Sequence, residues 1–181
     1  ASEPKIVKYL DIPIQHVNDR ILRRMNRRGD AKFLTDMLTR LRGRIPGLVI
    51  RTSLITGLPG EGEAEFEELC DFLQEYKLER VGCFAFSPED GTPAAKMEDP
   101  TPKEEKNRRF DKLCARQNAI SEEIHQGYVG RTMRCLVDGK DGGQLTARTE
   151  GGRLVRFDGP ECLIGNYENL RITGATTWSL T

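Results

Sequence analysis

Residues 48–69 read LVIRTSLITGLPGEGEAEFEEL, and this segment is the clearest indication of the fold class. Residues 48–56 are mostly apolar and β-branched, which is typical of a strand in a parallel sheet covered by helices. A Gly-Leu-Pro-Gly turn follows at 57–60, and Phe66 and Leu69 then begin a stripe at helical spacing. The stretch therefore predicts a strand, a tight turn and a helix, the unit from which parallel α/β sheets are built.

Similar strand–helix units lie on either side of this stretch. Residues 6–14 (IVKYLDIPI) predict an earlier strand, followed by a helix capped near Asn18 and a second helix that starts after a break at Gly29. Residues 80–87 predict a third strand, and a long polar helix is expected at about 103–126. Three such repeats imply a parallel sheet with right-handed crossovers. Three strands cannot close a barrel, so we expect partner strands upstream of this chain.

The sequence pattern changes from about Gly127 onward. Runs with alternating polarity (MRCLV, QLTAR, RLVRF and ENLRI) are separated by Asp-Gly, Gly-Gly and Gly-Asn turns. Such turns favour hairpins, and several short strands at this spacing predict a small antiparallel barrel. We therefore predict two domains, an α/β domain at 1–126 and a barrel at 127–181.

Composition narrows the class of protein. The 181 residues include 28 basic and 28 acidic side chains, so no overall charge marks a nucleic-acid or membrane binder. No stretch approaches the roughly 20 apolar residues that a membrane helix needs, and no signal peptide is recognisable. Five scattered cysteines form no C-x₂-C or C-x₃-C pair, which indicates a reducing compartment, and we expect a cytoplasmic protein. The start at Ala1 without a methionine is interpreted as a cut.

The turn after the strand at 48–56 is the first candidate for a ligand site. Ligands of open parallel sheets gather outside the carboxyl ends of the strands. Gly57, Pro59, Gly60 and Glu61 form the turn at that position, where glycines allow close backbone approach and a helix N-terminus attracts negative charge. The alternative is a tight turn with no ligand.

Polar residues near the neighbouring strand ends strengthen this prediction. Gln15 and His16 follow the first strand, although a lone histidine is often a packing residue. Arg51 and Ser53 place polar groups in the middle strand, where a structural ion pair is the alternative. Ser87 opens a loop rich in Pro and Gly, which otherwise only connects two elements. The predicted cofactor-binding residues are Gln15, His16, Arg51, Ser53, Gly57, Pro59, Gly60, Glu61 and Ser87. We assign no catalytic residue and no metal ligand.

A dense group of arginines accompanies the first predicted helix. Its members are Arg20, Arg23, Arg24, Arg27 and Arg28. A charge run is usually a solvated helix face. With Asp19 and Asp30 as the nearby acidic residues, this one could instead meet RNA phosphate or an acidic peptide.

Three segments resemble the radical S-adenosylmethionine (SAM) methylthiotransferase family. They are YLDIPIQH (9–16) with DRIL (19–22), RTSLITGLPGEGEAEFEEL (51–69) and RVGCFAFSPEDGTPAAKM (80–97). The likeness is to the RimO-like branch, and the C-terminal barrel is similar to a TRAM domain, the substrate-recognition module of these enzymes. The resemblance implies an α/β fold: the C-terminal half of a radical SAM (βα)6 partial barrel, followed by a small antiparallel, OB-like β-barrel.

The same resemblance implies cofactors and a reaction. The family uses SAM and two [4Fe–4S] clusters, one to reduce SAM and one to deliver sulfur. Their cysteine ligands are expected outside this chain, because no C-x₃-C-x₂-C motif occurs in it. We therefore expect the chain by itself to be inactive. RimO-like enzymes modify an aspartate of ribosomal protein S-twelve, which makes this small-subunit protein the expected partner, bound through the TRAM domain and away from membranes.

The branch within the family stays open at this point. Relatives that act on tRNA adenosine (MiaB-like) tend to carry Gln-Ser-Gly where this chain has Gln15-His16-Val17, which favours the ribosomal protein. The barrel, in contrast, is similar to that of the tRNA-acting members, yet it carries only seven basic against six acidic residues from Tyr128 onward. A tRNA methylthiotransferase, a separate RNA- or ribosome-binding module and a truncated chain without activity are the alternatives.

Overall fold

The computed structural model describes residues 2–3, 5–99 and 101–181. It divides into two compact units, one of residues 10–117 and one that combines residues 118–181 with the N-terminal segment up to Tyr9. The boundary between the units falls within the long helix Lys103–Gln126. No helix in the described part of the chain is both long and apolar enough to cross a membrane.

The first unit holds a three-stranded sheet in the order β1-β2-β3, with helices between the strands. Its strands are β1 (Tyr9–Asp11), β2 (Val49–Thr56) and β3 (Arg80–Ala85), and its helices are α1 (Asp19–Arg24), α2 (Ala31–Arg44), α3 (Glu63–Tyr76) and the first part of α4 (Lys103–Gln126). Strands β2 and β3 pair in parallel, with Ser53 opposite Gly82. This arrangement confirms the predicted α/β fold class.

The first strand is shorter than the predicted 6–14. Pro13 has no N–H to donate to a ladder, and regular pairing stops at Asp11. Beyond Asp11 the chain stays beside β2 through single hydrogen bonds, from the Ile12 amide to the Arg51 carbonyl at 2.8 Å and from the Ile14 amide to the Thr52 hydroxyl at 3.1 Å. Gln15 then forms an isolated parallel bridge with Leu54. The predicted helix cap is confirmed, because the Asn18 side chain accepts hydrogen bonds from the amides of Arg20 and Ile21.

Strand β2 separates a buried face from a partly exposed one. Ile50, Thr52, Leu54 and Thr56 are completely buried. The alternate residues Arg51, Ser53 and Ile55 are only partly buried. The period of two therefore divides the polar residues of this strand between its two faces. The rest of this core comes from helix residues such as Ile21, Leu38, Phe66, Leu73 and Leu113.

The second unit contains a four-stranded antiparallel sheet in the order β6-β5-β4-β7. Its strands are β4 (Thr132–Asp141), β5 (Gln144–Thr149), β6 (Leu154–Phe157) and β7 (Tyr167–Arg171). Gly142 and Gly143 connect β4 to β5 with φ of 59° and 89°, the left-handed conformations that a two-residue hairpin turn needs. The four predicted strands of the barrel are all present.

The last residues of the chain complete this barrel-like unit. Leu180 exchanges hydrogen bonds with β6 through the Leu154 carbonyl and the Arg156 amide. Thr181 accepts a bond from the Thr173 amide, so the segment after β7 reaches β6. The enclosed core is apolar and consists of Cys135, Val137, Leu145, Ala147, Val155, Ile172 and Leu180.

Candidate functional site

The carboxyl ends of the three parallel strands lie side by side and form the candidate site. Gln15 follows β1, Gly57 follows β2 and Ser87 follows β3. The Phe86 amide donates to the Thr56 carbonyl at 2.8 Å, which keeps the end of β3 beside that of β2. The sequence-based prediction of one shared edge therefore has a geometric counterpart.

Gln15 has a left-handed backbone with φ of 71°, which is uncommon for a residue other than glycine. Two hydrogen bonds to β2 hold it there: its amide donates to the Ser53 carbonyl and its carbonyl accepts from the Ile55 amide, both at 2.8 Å. Strained backbones of this kind persist where the surrounding structure over-determines them, and they cluster at functional sites. The side chain of Gln15 is partly exposed at the edge.

His16 lies directly behind this edge and is completely buried. Its Nδ1 accepts a hydrogen bond from the Asn18 amide at 3.0 Å. In the neutral ring the proton therefore resides on Nε2. That nitrogen lies 3.3 Å from Oε2 of Glu61.

Glu61 is the centre of a buried network. Its Oε1 accepts from the Thr56 hydroxyl and from the Gly57 amide, both at 2.9 Å, and from Nη1 of Arg109 at 3.0 Å. Burial by itself raises the pKa of this carboxyl, but the contacts with His16, Gly57 and Thr56 outweigh it and hold the pKa below its ordinary value. Glu61 is therefore ionised at neutral pH.

Arg109 ties α4 to the turn after β2. Besides the carboxylate, its Nη1 binds the backbone carbonyl of Glu61 at 2.9 Å, and its Nε donates to Glu105 at 2.8 Å. Its side chain is almost entirely buried, so the guanidinium charge is balanced inside the protein. No sequence pattern distinguishes this residue, because it lies 48 positions after Glu61 in a helix with many other basic residues.

The glycines of the turn adopt left-handed backbone conformations and lie close to neighbouring side chains. Gly57 and Gly60 have φ of 75° and 84°. A Cβ on Gly57 would lie 2.8 Å from the Lys106 side chain, and one on Gly60 would lie 3.0 Å from the guanidinium carbon of Arg24. The side chains of Lys106 and Arg24 therefore occupy the space beside these glycines, and a ligand would reach the backbone at Gly60 only after the exposed Arg24 side chain moved.

Arg51 and Ser53 lie on the partly exposed face of β2. Arg51 forms an ion pair with Asp11, so the structural ion pair considered from the sequence is present. Ser53 lies opposite Gly82, where an added Cβ would come within 3.9 Å of its hydroxyl oxygen. The nearest atoms to such a Cβ belong to the Phe84 ring, at 3.1 Å, so Gly82 makes room for this ring beside Ser53.

A shallow apolar recess lies near the turn and the loop that Ser87 opens. It is lined by Ile21, Arg24, Met25, Leu58, Pro59, Ala94 and Met97. Ala94 belongs to a 3-10 turn at Ala94–Lys96, the regular element of this loop. Pro59 is thus one predicted residue with a place on a cavity wall.

The structure divides the nine predicted site residues into two groups. Five have side chains or backbone at least partly exposed: Gln15, Arg51, Ser53, Gly60 and Ser87. Four are buried: His16, Gly57, Pro59 and Glu61. The first group can touch a ligand directly, whereas the side chains of His16 and Glu61 contact each other.

The cysteines of the described residues do not form a cluster site. They are all free, and no group of three or more metal-binding side chains comes together in the part of the chain that the structure describes. Burial is the main cause that raises the pKa of Cys83 to about 12 and of Cys70 and Cys135 to about 11. Cys83 and Cys114 are hydrogen-bonded to each other, but two protonated thiols without a third metal-binding side chain nearby do not fit an iron–sulfur cluster.

Comparison with known protein families assigns both units. Residues 2–73 match the Radical SAM superfamily, and residues 126–181 match the TRAM domain. The α/β unit with its strand-end edge and the barrel-like unit are therefore parts of a radical SAM protein that carries a TRAM domain.

Curated relatives narrow the class further. The chain is 42% identical over 186 residues to a protein of Desulforudis audaxviator and 41% identical over 191 residues to one of Flavobacterium psychrophilum, matches that cover 99% and 98% of this chain. A protein of Anaeromyxobacter sp. (strain K) is 54% identical over 140 residues, or 77% of the chain. All three are named ribosomal protein uS12 methylthiotransferase RimO. The chain belongs to the RimO-like radical SAM methylthiotransferase family.

The matches span a limited part of each relative. They cover 41%, 43% and 30% of the proteins from Desulforudis, Flavobacterium and Anaeromyxobacter.

Proposed function

We propose that this chain provides part of the SAM site and the substrate-recognition domain of a methylthiotransferase that acts on an aspartate of ribosomal protein uS12. The family membership supports the reaction, and the names of the three relatives support the substrate. The observation that carries the proposal is the edge formed by three adjacent strand ends, where Gln15, Gly57 and Ser87 follow β1, β2 and β3.

The exposed residues of this edge fit SAM by their chemistry. SAM presents ribose hydroxyls and a zwitterionic amino acid, which uncharged side chains and free backbone groups can bind. Gln15, Ser53, Gly60 and Ser87 would hold it, and His16 and Glu61 would support the edge from behind without touching it. Arg51 would contact SAM only if its ion pair with Asp11 were broken. When bound, SAM would supply the radical chemistry that opens an unactivated C–H bond.

Two [4Fe–4S] clusters belong to the proposed enzyme but find no ligands among the described cysteines. We therefore assign the clusters to a longer protein and derive no step of the reaction through them. The residues of this chain would bind and orient SAM and shield it from water. A network with an ionised Glu61 and a buried Arg109 maintains its geometry without moving protons at neutral pH.

The TRAM domain is the proposed contact with the ribosomal protein, and a cytoplasmic location follows from such a substrate. One observation favours tRNA as the second candidate. The guanidinium carbon of Arg134 lies 3.9 Å from the centre of the Tyr167 ring, which is itself 55% exposed. An exposed arginine–aromatic pair of this kind can stack with unpaired bases.

A chimera tests the proposal. The corresponding region of the Desulforudis relative is replaced by residues 1–181, since the match covers 99% of this chain. The chimera is purified anaerobically and incubated with SAM, a strong one-electron reductant, a sulfide source and either uS12 or tRNA. We expect mass spectrometry to find one methylthio group on an aspartate of uS12. Modification of tRNA adenosine instead would replace the proposal by its second candidate.

A matched pair of variants tests the assigned residues in the same chimera. Ser53→Ala removes a hydroxyl at the edge, whereas Ser121→Ala removes one on α4. We expect the first to weaken SAM binding measured by equilibrium dialysis and the second to leave it unchanged. Equal SAM binding in both would remove Ser53 from the site.

A further inference from the structure

The arginines at residues 20–28 fall into two groups in the structure. Arg20 pairs with Glu65 and binds the Gly60 carbonyl at 2.7 Å, while Arg27 donates to the Pro13 carbonyl at 2.6 Å. These two serve the fold. Arg23, Arg24 and Arg28 are exposed to solvent.

The three exposed arginines have no carboxylate partner within 4 Å among the described residues. Arg23 uses its Nε on the Asp19 carbonyl, which leaves the other N–H groups of its guanidinium available. The nearby carboxylates accept backbone hydrogen bonds, Asp19 from the Ala31 amide at 2.8 Å and Asp30 from the Phe33 amide at 2.7 Å, and keep their negative charges. Five arginines against two aspartates within residues 19–30 nevertheless leave an excess of positive charge here, although the whole chain is neutral.

An exposed aromatic ring stands beside these charges. Phe33 is 52% exposed, and its ring lies against Gly29, where an added Cβ would come within 2.9 Å. The glycine thus lets the ring lie on the backbone next to Arg28. Cations and an exposed ring together are the two elements with which proteins hold unpaired nucleotides, through phosphate contacts and base stacking.

The patch adjoins the candidate site. Arg24 lines the apolar recess together with Pro59 of the turn, and its guanidinium lies close to Gly60. A polyanion bound at this patch would therefore lie beside the edge where the proposed reaction takes place.

We propose that Arg23, Arg24, Arg28 and Phe33 form a binding surface for a single-stranded or loop segment of RNA. Guanidinium groups match phosphate in a bidentate fashion, and an RNA segment offers one phosphate per nucleotide to the three arginines. The choice of RNA over an acidic peptide rests on the proposed function, because a ribosomal protein is reached amid ribosomal RNA. The enzyme then recognises its protein substrate together with neighbouring RNA.

Fluorescence anisotropy of a labelled single-stranded RNA of mixed sequence, titrated with the 181-residue chain over a range of salt concentrations, tests this surface. The variant R23A/R24A/R28A removes three phosphate contacts. We expect the slope of log K against log salt to become shallower by about 2, from about 0.7 per contact for single strands. Replacing Phe33 by Ala should weaken binding about fivefold or more, as loss of one stacked base does.

A charge-matched control separates the patch from general electrostatics. R40A/R44A/K103A removes the same three charges from exposed positions on α2 and α4. An equal loss of RNA affinity in both triple variants would overturn the proposal, and so would stronger, arginine-dependent binding of a polyglutamate peptide than of RNA. The variant R23K/R24K/R28K keeps the charge and should retain most of the salt dependence; its loss would also contradict the proposal.

The RNA-binding experiment and the chimera assay can fail independently of each other. The chimera assay with isolated uS12 requires no RNA, so its success together with failed RNA binding would overturn only the RNA surface. Successful RNA binding by a chimera that leaves uS12 unmodified would overturn the proposed function instead. Circular dichroism of each variant checks that the exposed substitutions leave the fold intact.

Discussion

Nε2 of His16 lies 3.3 Å from Oε2 of Glu61, and both side chains are completely buried. His16 follows the first strand of the sheet and Glu61 closes the turn after the second, so this contact joins two neighbouring strand ends. Arg109 adds α4 to the same carboxylate. The network thereby fixes three segments around the edge that we propose to bind SAM.

The first prediction concerns the charge of Glu61. Replacing it by Gln leaves the buried guanidinium of Arg109 without its counter-charge, and breaking a buried ion pair in this way costs about 3 kcal/mol. Urea unfolding followed by circular dichroism measures the loss. Glu104→Gln, at an exposed position of the same helix, is the control and should change the free energy of unfolding by less than about 0.5 kcal/mol.

The second prediction is a pH dependence of the same difference. The folded-state pKa of Glu61 lies below its ordinary value of 4.5, so the ionised carboxylate stabilises the folded protein above that value. This stability is lost as the pH falls through the folded-state pKa. The difference in unfolding free energy between the wild type and E61Q should therefore shrink on acidification below about pH 4.5. A difference that grew toward acid would contradict the assignment.

The third prediction concerns the His16 ring. Because Nδ1 accepts from the Asn18 amide, the neutral ring should carry its proton on Nε2. Long-range ¹H–¹⁵N correlation spectra distinguish the two tautomers by the ¹⁵N shifts of the ring. A proton on Nδ1 would show that the Asn18 contact is absent in solution.

The fourth prediction compares two glycines. In Gly57→Ala, an alanine must adopt the left-handed backbone conformation, and its Cβ is pressed against the Lys106 side chain. We expect the free energy of unfolding to fall by about 1–3 kcal/mol. Gly43→Ala, in the interior of α2 with no atom within 4 Å of the added Cβ, should instead stabilise the protein by about 0.5–1 kcal/mol. Thermal unfolding of both variants measures the two opposite shifts; shifts of the same sign would contradict the turn geometry.

The fifth prediction ranks the thiols. Cys162 is exposed, whereas burial raises the pKa of Cys83 to about 12 and that of Cys70 to about 11. At neutral pH, Ellman's reagent should therefore modify Cys162 first and reach Cys70 only on unfolding. Mass spectrometry of partially labelled protein identifies the modified residue. Early labelling of Cys70 would indicate that the core around α3 opens readily.

Local patterns predicted the elements of this fold because each depends on neighbouring residues. The turn at 57–60 marks the end of β2, Asn18 marks the start of α1, and the Gly142-Gly143 pair marks a hairpin. The predicted first strand was too long, because the β-branched residues Ile6 and Val7 do not reveal that regular pairing is confined to Tyr9–Asp11. Propensity describes a segment, whereas pairing depends on the partner strand.

The site was predictable as a location but not as a set of contacts. The amino-acid pattern was sufficient to predict polar residues near the ends of three parallel strands, since the carboxyl ends of such strands share one edge. The folded structure was needed to show that Arg51 is neutralised by Asp11, that His16 and Glu61 face each other, and that Arg109 completes their network. These pairs lie 40, 45 and 48 positions apart. The charge and burial of each side chain depend on partners that the fold brings together, so no local pattern could reveal them.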